Sequence, residues 1–372
     1  MKNFLLEEYL QDLEQVVNID SHAEDVSGVT AVGNYYKEKL VAAGYKVHEF
    51  DMGPEIAHPL LLTNTDEDEY DVLLMAHLDT VFHHGEATKR PFTIIDGVAH
   101  GPGCNDMKSG GILGVHALVN NVEELKDLRI AYALNPEEEQ SSKHVRAWLE
   151  ALSKKSKNVI ILEPARENGD HVDERKGIGR FTFKFTGRTA HAGNNPAAGR
   201  SAIHEMGYWI CELAGLTNFD SGFTVNVGLV SGGTGANVVA GEGQMTVDIR
   251  MQTLPQVDIY WHKLEELKAH ATSKEVKVEV LGGITRPPMF KTEATEKLVA
   301  LVNKAAEELG LPCNWVKAGA GSDGNFSAAL GVPTVDALGP SGGKSHTAEE
   351  YMLVASVEPA YKLLVRTLEL LR

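Results

Sequence analysis

Cysteine is scarce in this sequence: the 372 residues contain three, at positions 104, 211 and 313, and no CxxC pair. Closely spaced cysteines are typical of disulfide-stabilised secreted domains and of structural zinc modules. Their absence argues against both frameworks and predicts reduced thiols in a cytoplasmic protein. Cys104 is near Asp106 in the sequence, so a role as an additional metal ligand stays open.

Long apolar runs and an excess of positive charge are also missing. No run approaches the ~20 apolar residues of a membrane-spanning helix, and the formal net charge is −17. Nucleic acids and anionic membranes bind basic surfaces. We therefore expect neither a nucleic-acid partner nor a membrane partner. The stretch 1–20 carries acidic residues and helically spaced leucines, which predicts a surface helix rather than a signal peptide.

The order of apolar segments predicts two domains. Buried strands alternate with helices over 1–176 and again over 288–372, which is typical of an α/β catalytic domain with a mostly parallel sheet. Between them, 177–287 has the order β-α-β-β-α-β, with a helix from Pro255 to about residue 271. That order is ferredoxin-like. We predict an inserted α+β domain that serves as a lid or for dimerisation.

Chemically reactive residues follow three buried strands of the first domain. His77 follows the apolar segment 72–76, the triplet 137–139 of glutamates follows 129–134, and Glu163 follows 158–162. The carboxyl ends of parallel strands meet at one edge of a sheet, where ligands bind. These side chains are therefore predicted to converge.

A pair of metal ions would explain these residues together with two others. Asp106 follows a Gly-Pro-Gly turn, and His346 follows the glycine-rich segment 339–345, which is predicted to be a loop. Zinc accepts imidazole nitrogen and carboxylate oxygen, and a paired site needs one shared ligand. Each residue alone could be an ordinary surface group. Asp79 lies on the same side of the strand as His77 and can accept the N–H of that imidazole. Lys108 is predicted to be a solvated charge or part of a local ion pair.

The glutamate triplet can divide two tasks between neighbours. Adjacent side chains point apart, so one of Glu138 and Glu139 could bind metal while the other faces the substrate as a general base. Acidic residues at a helix start offer a simpler explanation, because they suit the helix dipole. Spacing alone does not assign the roles.

The segment 339–345, GPSGGKS, superficially looks like a phosphate-binding loop. A P-loop would need its first glycine at position 338, which is leucine. Nucleotide binding is therefore not predicted.

Six motifs occur in an order that resembles a known family. They are HLDT at 77–80, GPGCNDMKSGG at 101–111, PEEEQ at 136–140, EP at 163–164, TAHAG at 189–193 and SHTAEE at 345–350. The whole chain resembles the co-catalytic zinc exopeptidases of the aminoacylase/carboxypeptidase family. The segment from residue 77 to 92 is most similar to bacterial folate-cleaving glutamate carboxypeptidases.

The resemblance implies two zinc ions, with cobalt or manganese as possible substitutes. Asp106 would bridge the two ions, with His77 and Glu163 at one ion and Glu139 and His346 at the other. Glu138 would be the general base, and Asp79 would be the partner of His77. The family usually has Asp before its glutamate pair. Glu137 takes that place here, which leaves a one-residue ambiguity of register.

In the inserted domain, the resemblance implies three further functional residues. His191 would reach across a homodimer to polarise the scissile carbonyl, and Asn237 and Arg286 would bind substrate. A bidentate arginine suits a carboxylate. Arg250 ends a strand and could serve a local role instead.

The implied reaction is zinc-dependent hydrolysis of an amide bond adjacent to a free carboxylate, with release of C-terminal glutamate or a similar amino acid. The substrate would be a small peptide or an N-acyl amino acid. An N-acyl-amino-acid deacylase or a dipeptidase of the same family is the alternative enzyme. A non-catalytic metal-binding or ligand-binding relative is the alternative outside catalysis.

Overall fold

The chain divides into two compact units in its computed structural model, which describes residues 4–269 and 275–372. The second unit consists of 175–290 together with 319–321, and the first unit contains the other described residues. The predicted insertion, 177–287, falls within the second unit. Its service as a lid or in dimerisation stays a prediction.

The described residues form ten α-helices and nineteen strands. The helices are α1 (Leu6–Val17), α2 (Val26–Ala42), α3 (Glu86–Lys89), α4 (Lys108–Asn120), α5 (Arg146–Lys154), α6 (Ala202–Ala214), α7 (Leu254–Ala269), α8 (Glu293–Leu309), α9 (Gly324–Ala329) and α10 (Val357–Leu370). The strands are β1 (Lys46–Glu49), β2 (Leu60–Thr63), β3 (Val72–His77), β4 (Thr93–Ile95), β5 (Val98–His100), β6 (Ile130–Asn135), β7 (Val159–Ile161), β8 (Pro164–Ala165), β9 (His171–Arg175), β10 (Gly177–Thr186), β11 (Ala190–His191), β12 (Thr224–Gly232), β13 (Val238–Val239), β14 (Glu242–Met251), β15 (Lys277–Arg286), β16 (Trp315–Ala318), β17 (Thr334–Val335), β18 (Gly339–Gly343) and β19 (Tyr351–Leu353). The predicted end of α7 at residue 271 lies outside the described residues.

A six-stranded sheet forms the centre of the first unit, in the order β1-β2-β6-β3-β7-β17. The neighbours β6, β3, β7 and β17 are parallel, while β1 and β2 add an antiparallel edge. Every residue of β3 and β6 is buried. Alternate side chains of these strands enter two different apolar clusters: Leu74 packs with residues of α1, α2, α4 and α10, whereas Leu73 packs with residues of α5. Apolar strands covered on both faces are typical of parallel sheets.

The prediction of a loop over 339–345 is wrong, because most of this segment is a strand of a second sheet. Residues Gly339–Gly343 form β18, which pairs in parallel with β8 and antiparallel with β19 in a five-stranded sheet, β4-β5-β19-β18-β8. The glycines there provide close approach rather than a turn. A Cβ atom at Gly339 would lie 2.6 Å from the Leu162 carbonyl oxygen, and one at Gly342 would lie 2.1 Å from that of Tyr351.

The second unit has the predicted ferredoxin-like topology. Its antiparallel sheet has the order β12-β14-β10-β15, with α6 and α7 as the connecting helices. Phe181, Phe183 and Phe185 of β10 are buried and alternate with more exposed residues, as a sheet with one covered face requires. They pack with Trp209 and Tyr260 of the two helices. Together with the mostly parallel pairing in the first unit, this confirms the predicted fold class.

None of the helices within residues 4–269 and 275–372 is long and apolar enough to cross a lipid bilayer.

Candidate metal centre

Five nitrogen- and oxygen-bearing side chains form two overlapping groups in the first unit. His77, Asp106 and Glu163 make one group, and Asp106, Glu139 and His346 make the other, with the ligand atoms of each group within 4.8 Å of one another. His77 ends β3, and the two glutamates follow β6 and β7, so three members come from the carboxyl edge of the parallel sheet. The structure thus brings together the residues that the sequence analysis picked as metal ligands.

Asp106 directs one carboxylate oxygen to each group. Its Oδ1 is 3.2 Å from Nε2 of His77, and Nε2 of His77 is 3.8 Å from Oε1 of Glu163. Its Oδ2 is 3.3 Å from Nε2 of His346, which is 3.1 Å from Oε1 of Glu139. Ligands about 2.0–2.2 Å from a tetrahedral zinc ion would be about 3.4 Å from one another. The spacing of these atoms therefore fits two cations that share Asp106.

The protonation of the cluster also indicates that it suits cations. Burial would lower the pKa of His77, but contacts with Asp106 and Asp79 raise it well above its usual value. The carboxylates of Asp106 and Glu139 raise the pKa of His346 to about 11. Burial, together with the charge of Asp106, raises the pKa of Glu163 well above its usual value. Without cations, protons must therefore compensate carboxylates that lie this close together.

One buried ligand atom supports the same conclusion. Oε1 of Glu139 is buried, and within the described ranges it has an ion-pair contact with Nε2 of His346 at 3.1 Å but no well-formed hydrogen bond. A buried carboxylate oxygen normally has a partner. A cation coordinated at this position would supply one.

Asp79 organises both sides of the centre. It is fully buried, and its Oδ1 and Oδ2 accept the backbone N–H groups of Glu138 and Glu139, each at 3.0 Å. Nδ1 of His77 lies 3.0 Å from the Asp79 carbonyl oxygen and 3.3 Å from Oδ1. Asp79 therefore contacts the ring of His77, more closely through its carbonyl oxygen than through its carboxylate, and it also holds the glutamate pair, which the sequence did not reveal.

The three glutamates face different surroundings. The buried carboxylate of Glu137 binds the start of α5, since it accepts the N–H of Val145 at 3.2 Å and contacts Nδ1 of His144 at 2.8 Å. Glu139 is the member that reaches the metal-ligand group. Glu138 is half-buried, and its negative charge helps to raise the pKa of Glu163. Its carboxylate therefore lies near Glu163 but belongs to neither ligand group.

A buried polar network holds the glutamate segment at both ends. Asn135 precedes the triplet, and its side-chain nitrogen donates to Ser142, 2.8 Å away, and to Asp323. The Ser142 hydroxyl donates to the other oxygen of Asp323 at 2.6 Å, and Oδ1 of Asn135 accepts the N–H of Glu137 at 2.9 Å. Asp323 thus links the residues before and after the glutamates.

The prediction that Lys108 is a solvated charge or part of a local ion pair is wrong. Only 1 % of this residue is exposed, and its ammonium donates to the carbonyl oxygen of Ile19 at 2.8 Å. Burial lowers its pKa to about 7. Cys104, considered above as a ligand, is also buried and lies outside both groups; its thiol points to the carbonyl oxygen of Ala99 at 3.5 Å.

The second unit brings two of its predicted site residues together. His191 of β11 pairs with Val238 of β13, and the carbonyl oxygen of Asn237 accepts the N–H of Ala192 at 2.9 Å. His191 and Asn237 are exposed. Arg286 instead ends β15 opposite Ile178 and is 3 % exposed.

The hydrogen bonds of His191 determine which ring nitrogen carries the proton. Nδ1 accepts the backbone N–H groups of Gly193 and Asn194, each at 3.1 Å. A neutral imidazole with Nδ1 as acceptor carries its proton on Nε2. Nε2–H is therefore the available donor. Arg250 binds Asp248 through Nε at 2.8 Å, in keeping with a local role.

Glu350 is a buried acid near the cluster that the motif analysis did not single out. It lies within SHTAEE, and its carboxylate accepts three backbone N–H groups of the segment that leads to Asp106. A signal for it existed only as an acid four residues after His346, a spacing that many surface loops share.

Known proteins of similar sequence cover most of this chain. Carboxypeptidase G2 of Pseudomonas sp. is 26% identical over 357 residues, which cover 94% of this chain and 85% of that protein. A succinyl-diaminopimelate desuccinylase of Verminephrobacter eiseniae is 30% identical over 291 residues, covering 74% of this chain and 71% of that protein.

Solved structures give the same picture of the fold. The aminopeptidase PepT from Bacillus cereus superimposes with a TM-score of 0.82 and 24% identity, over 99% of each chain. The sequence model of peptidase family M20/M25/M40 matches residues 73–370, which include all five members of the two ligand groups. Since that match spans most of the chain and the fold and candidate metal ligands accompany it, the protein belongs to peptidase family M20/M25/M40.

Proposed function

We propose that this family member is a two-metal hydrolase that cleaves an amide bond next to a free carboxylate and releases a C-terminal glutamate or a similar amino acid. The observation that carries the proposal is the pair of ligand groups that share Asp106, with Glu138 near enough for its charge to raise the pKa of Glu163. A bimetal site with an adjacent carboxylate base is suited to hydrolysis of an unactivated amide.

The five ligands would hold two zinc ions, with His77 and Glu163 at one, Glu139 and His346 at the other, and Asp106 shared. Nitrogen and oxygen donors of this kind also accept cobalt and manganese, which we propose as substitutes. When bound, the ions would supply positive charge to polarise the scissile carbonyl and to activate water.

Glu138 is the proposed general base. Its backbone N–H is held by Asp79, and its negative charge acts on Glu163 although its side chain belongs to neither ligand group. It would take a proton from the attacking water and return that proton to the departing amine, so that the amine leaves as a neutral group.

His191 is proposed to donate Nε2–H to the carbonyl oxygen as negative charge develops there. Support comes from the two backbone N–H groups that hold Nδ1 as an acceptor. A donor that is already oriented stabilises an oxyanion without reorganisation.

Asn237 and Arg286 are proposed to bind the substrate, with the guanidinium of Arg286 directed at the free carboxylate. The overall charge of −17 would repel an acidic substrate, so a local cation is needed. Arg286 is 3 % exposed, and burial strengthens an ion pair with a bound carboxylate.

A homodimer is proposed as the working form, with His191 of one copy serving the metal centre of the other. The edge strand β12 exposes Leu229 and Val230 to 69% and 54%. Exposed apolar residues on an unpaired strand edge favour association with another chain.

Carboxypeptidase activity is favoured because carboxypeptidase G2 matches 94% of this chain, and glutamate is the proposed product because the segment 77–92 resembles folate-cleaving glutamate carboxypeptidases. Removal of an N-acyl group is the second candidate, since a desuccinylase is 30% identical over 74% of the chain. Both reactions break an amide bond beside a carboxylate, so the metal centre alone does not separate them.

A substrate panel tests the proposal. The purified protein would be loaded with zinc, cobalt or manganese and incubated with folate, peptides that end in glutamate, N-acyl-glutamates, N-acetylornithine, N-succinyl-diaminopimelate and dipeptides. Release of glutamate from the first three classes supports the favoured specificity, and preference for the acylated diamino acids supports the second candidate.

The Glu138→Gln variant is the control. It should bind both metals and lose turnover, because the amide cannot accept the proton. No hydrolysis of any substrate by the metal-loaded wild type would contradict the proposed function. Equal activity of wild type and Glu138→Gln would contradict the role of Glu138.

A further inference from the structure

The segment that carries the shared ligand Asp106 is held by one buried side chain from a distant part of the sequence. Glu350 is 1 % exposed. Its Oε1 accepts the backbone N–H groups of Asn105 and Asp106 at 2.8 and 2.9 Å, and its Oε2 accepts that of Gly103 at 3.3 Å. Glu350 therefore holds the backbone of the bridging ligand itself.

Further contacts connect the segment that carries Asp106 to the segment that carries His346. The side-chain nitrogen of Asn105 donates to the hydroxyl of Ser345 at 3.1 Å, one residue before His346. Gly342 approaches so closely that a Cβ atom there would lie 2.2 Å from Oδ1 of Asn105. Glu350 itself is four residues after His346. The Asp106 segment and the His346 segment thus form one hydrogen-bonded block.

We propose that Glu350 is a positioning residue that sets the separation of Asp106 and His346, and thereby the affinity of the Asp106–Glu139–His346 group for its metal. The inference rests on the proposed metal centre, because Glu350 acts only through its ligands. Oδ2 of Asp106 and Nε2 of His346 are 3.3 Å apart, and both lie on the block that Glu350 holds. The His77–Glu163 side is held separately, by Asp79 and the central sheet.

A carboxylate is suited to this task because the three hydrogen bonds that it accepts among the described residues all come from backbone N–H groups. Three amides of an irregular segment need acceptors, and the two oxygens of Glu350 supply them. Glutamine would keep one oxygen but would turn an NH₂ group towards a backbone N–H. Groups that hold metal ligands in place typically change metal affinity by about 10–100-fold when mutated.

Glu350→Gln is therefore the test variant, and Glu349→Gln is its matched control. Glu349 is the neighbouring acid, 72% of its side chain is exposed, and it pairs with Lys344 at the surface. The metal-free proteins would be titrated with zinc against a competing chelator, which gives two dissociation constants. Cobalt titrations would report the ligand geometry through the visible absorption of the bound ion.

In Glu350→Gln, we expect one dissociation constant to rise about 10–100-fold and the other to stay within about threefold of the wild type. Glu350→Asp keeps the carboxyl group but shortens the side chain, so it should give an intermediate value. Glu349→Gln should match the wild type in both constants. Thermal unfolding of the metal-free variants shows whether folding has changed.

Three results separate the possible failures. Two unchanged dissociation constants in Glu350→Gln would overturn the positioning role. Equal weakening of both constants together with a destabilised metal-free protein would also overturn it, because Glu350 would then serve folding alone. Failure of the wild type to bind two ions would contradict the proposed metal centre itself.

Discussion

Replacing Asp79 by asparagine is the most informative test of how the centre is built. The change preserves shape but removes one of two oxygens that accept the N–H groups of Glu138 and Glu139. One buried amide then loses its acceptor, which costs about 1–3 kcal/mol, and the remaining bond loses charge assistance worth about 1 kcal/mol. The free energy of unfolding of the metal-free protein should fall by about 2–4 kcal/mol.

The same substitution should weaken metal binding and catalysis. The ring of His77 loses a carboxylate partner 3.3 Å from Nδ1, and the two glutamates lose their common anchor. Zinc affinity and turnover should each drop by about 10–100-fold. Urea unfolding of the metal-free protein, zinc titration against a chelator and steady-state kinetics measure the three effects.

Asp66→Asn provides the comparison for Asp79→Asn. The side chain of Asp66 is 90% exposed and pairs with Lys46, so its replacement should change the free energy of unfolding by no more than about 0.5 kcal/mol. If Asp79→Asn behaves like Asp66→Asn in all three assays, the contacts of Asp79 with His77, Glu138 and Glu139 have no energetic consequence and the reasoning is refuted.

Three further predictions concern other parts of the molecule. Asp323→Asn should lower kcat about tenfold while both zinc ions stay bound, because the glutamate segment loses its anchor; unchanged kcat, by steady-state assay and metal analysis, would contradict this. Burial would raise the pKa of Asp12, but its contacts with His116, Lys39 and Tyr35 outweigh burial and lower that pKa to about 2. Ionised Asp12 therefore stabilises the folded protein above the unfolded-state pKa of about 3.9, and this stabilisation is lost as the pH falls through about 2. Asp12→Asn should therefore be less stable than wild type in urea at pH 7 and nearly equal to it at pH 2; a constant difference would be inconsistent. Mixing inactive His191→Ala and Glu138→Gln proteins should restore roughly a quarter of wild-type activity through heterodimers with one complete site, whereas no recovery after subunit exchange would place His191 and Glu138 in the same copy.

The strands and site residues that short sequence patterns reveal could be predicted from the sequence. The apolar segments that became β3 and β6 are long enough to identify, and a histidine or glutamate directly after such a strand is visible without coordinates. The alternating phenylalanines of β10 likewise revealed a sheet with one covered face. These patterns predicted the fold class, which the structure confirms, and they identified the ligand candidates.

Contacts between distant loops could not be predicted. Lysine is usually found at the surface, and the buried ammonium of Lys108 is held by the carbonyl oxygen of Ile19, 89 residues away. Glu350 accepts hydrogen bonds from backbone N–H groups about 245 residues earlier, and every residue type except proline has such a group, so the sequence does not indicate which ones it contacts. The strands Thr93–Ile95 and Tyr351–Leu353 are three residues long, too short to show a periodicity. Glycines in 339–343 favoured a loop, although close packing between strands is their actual reason.

The central claim is that Asp106 is shared by two cations. Crystals of the zinc-loaded protein, measured above and below the zinc absorption edge, test this claim directly. We predict two anomalous peaks about 3.5–4 Å apart, one beside His77 and Glu163 and the other beside Glu139 and His346, with the Asp106 carboxylate between them. A single peak, or peaks away from Asp106, would contradict it.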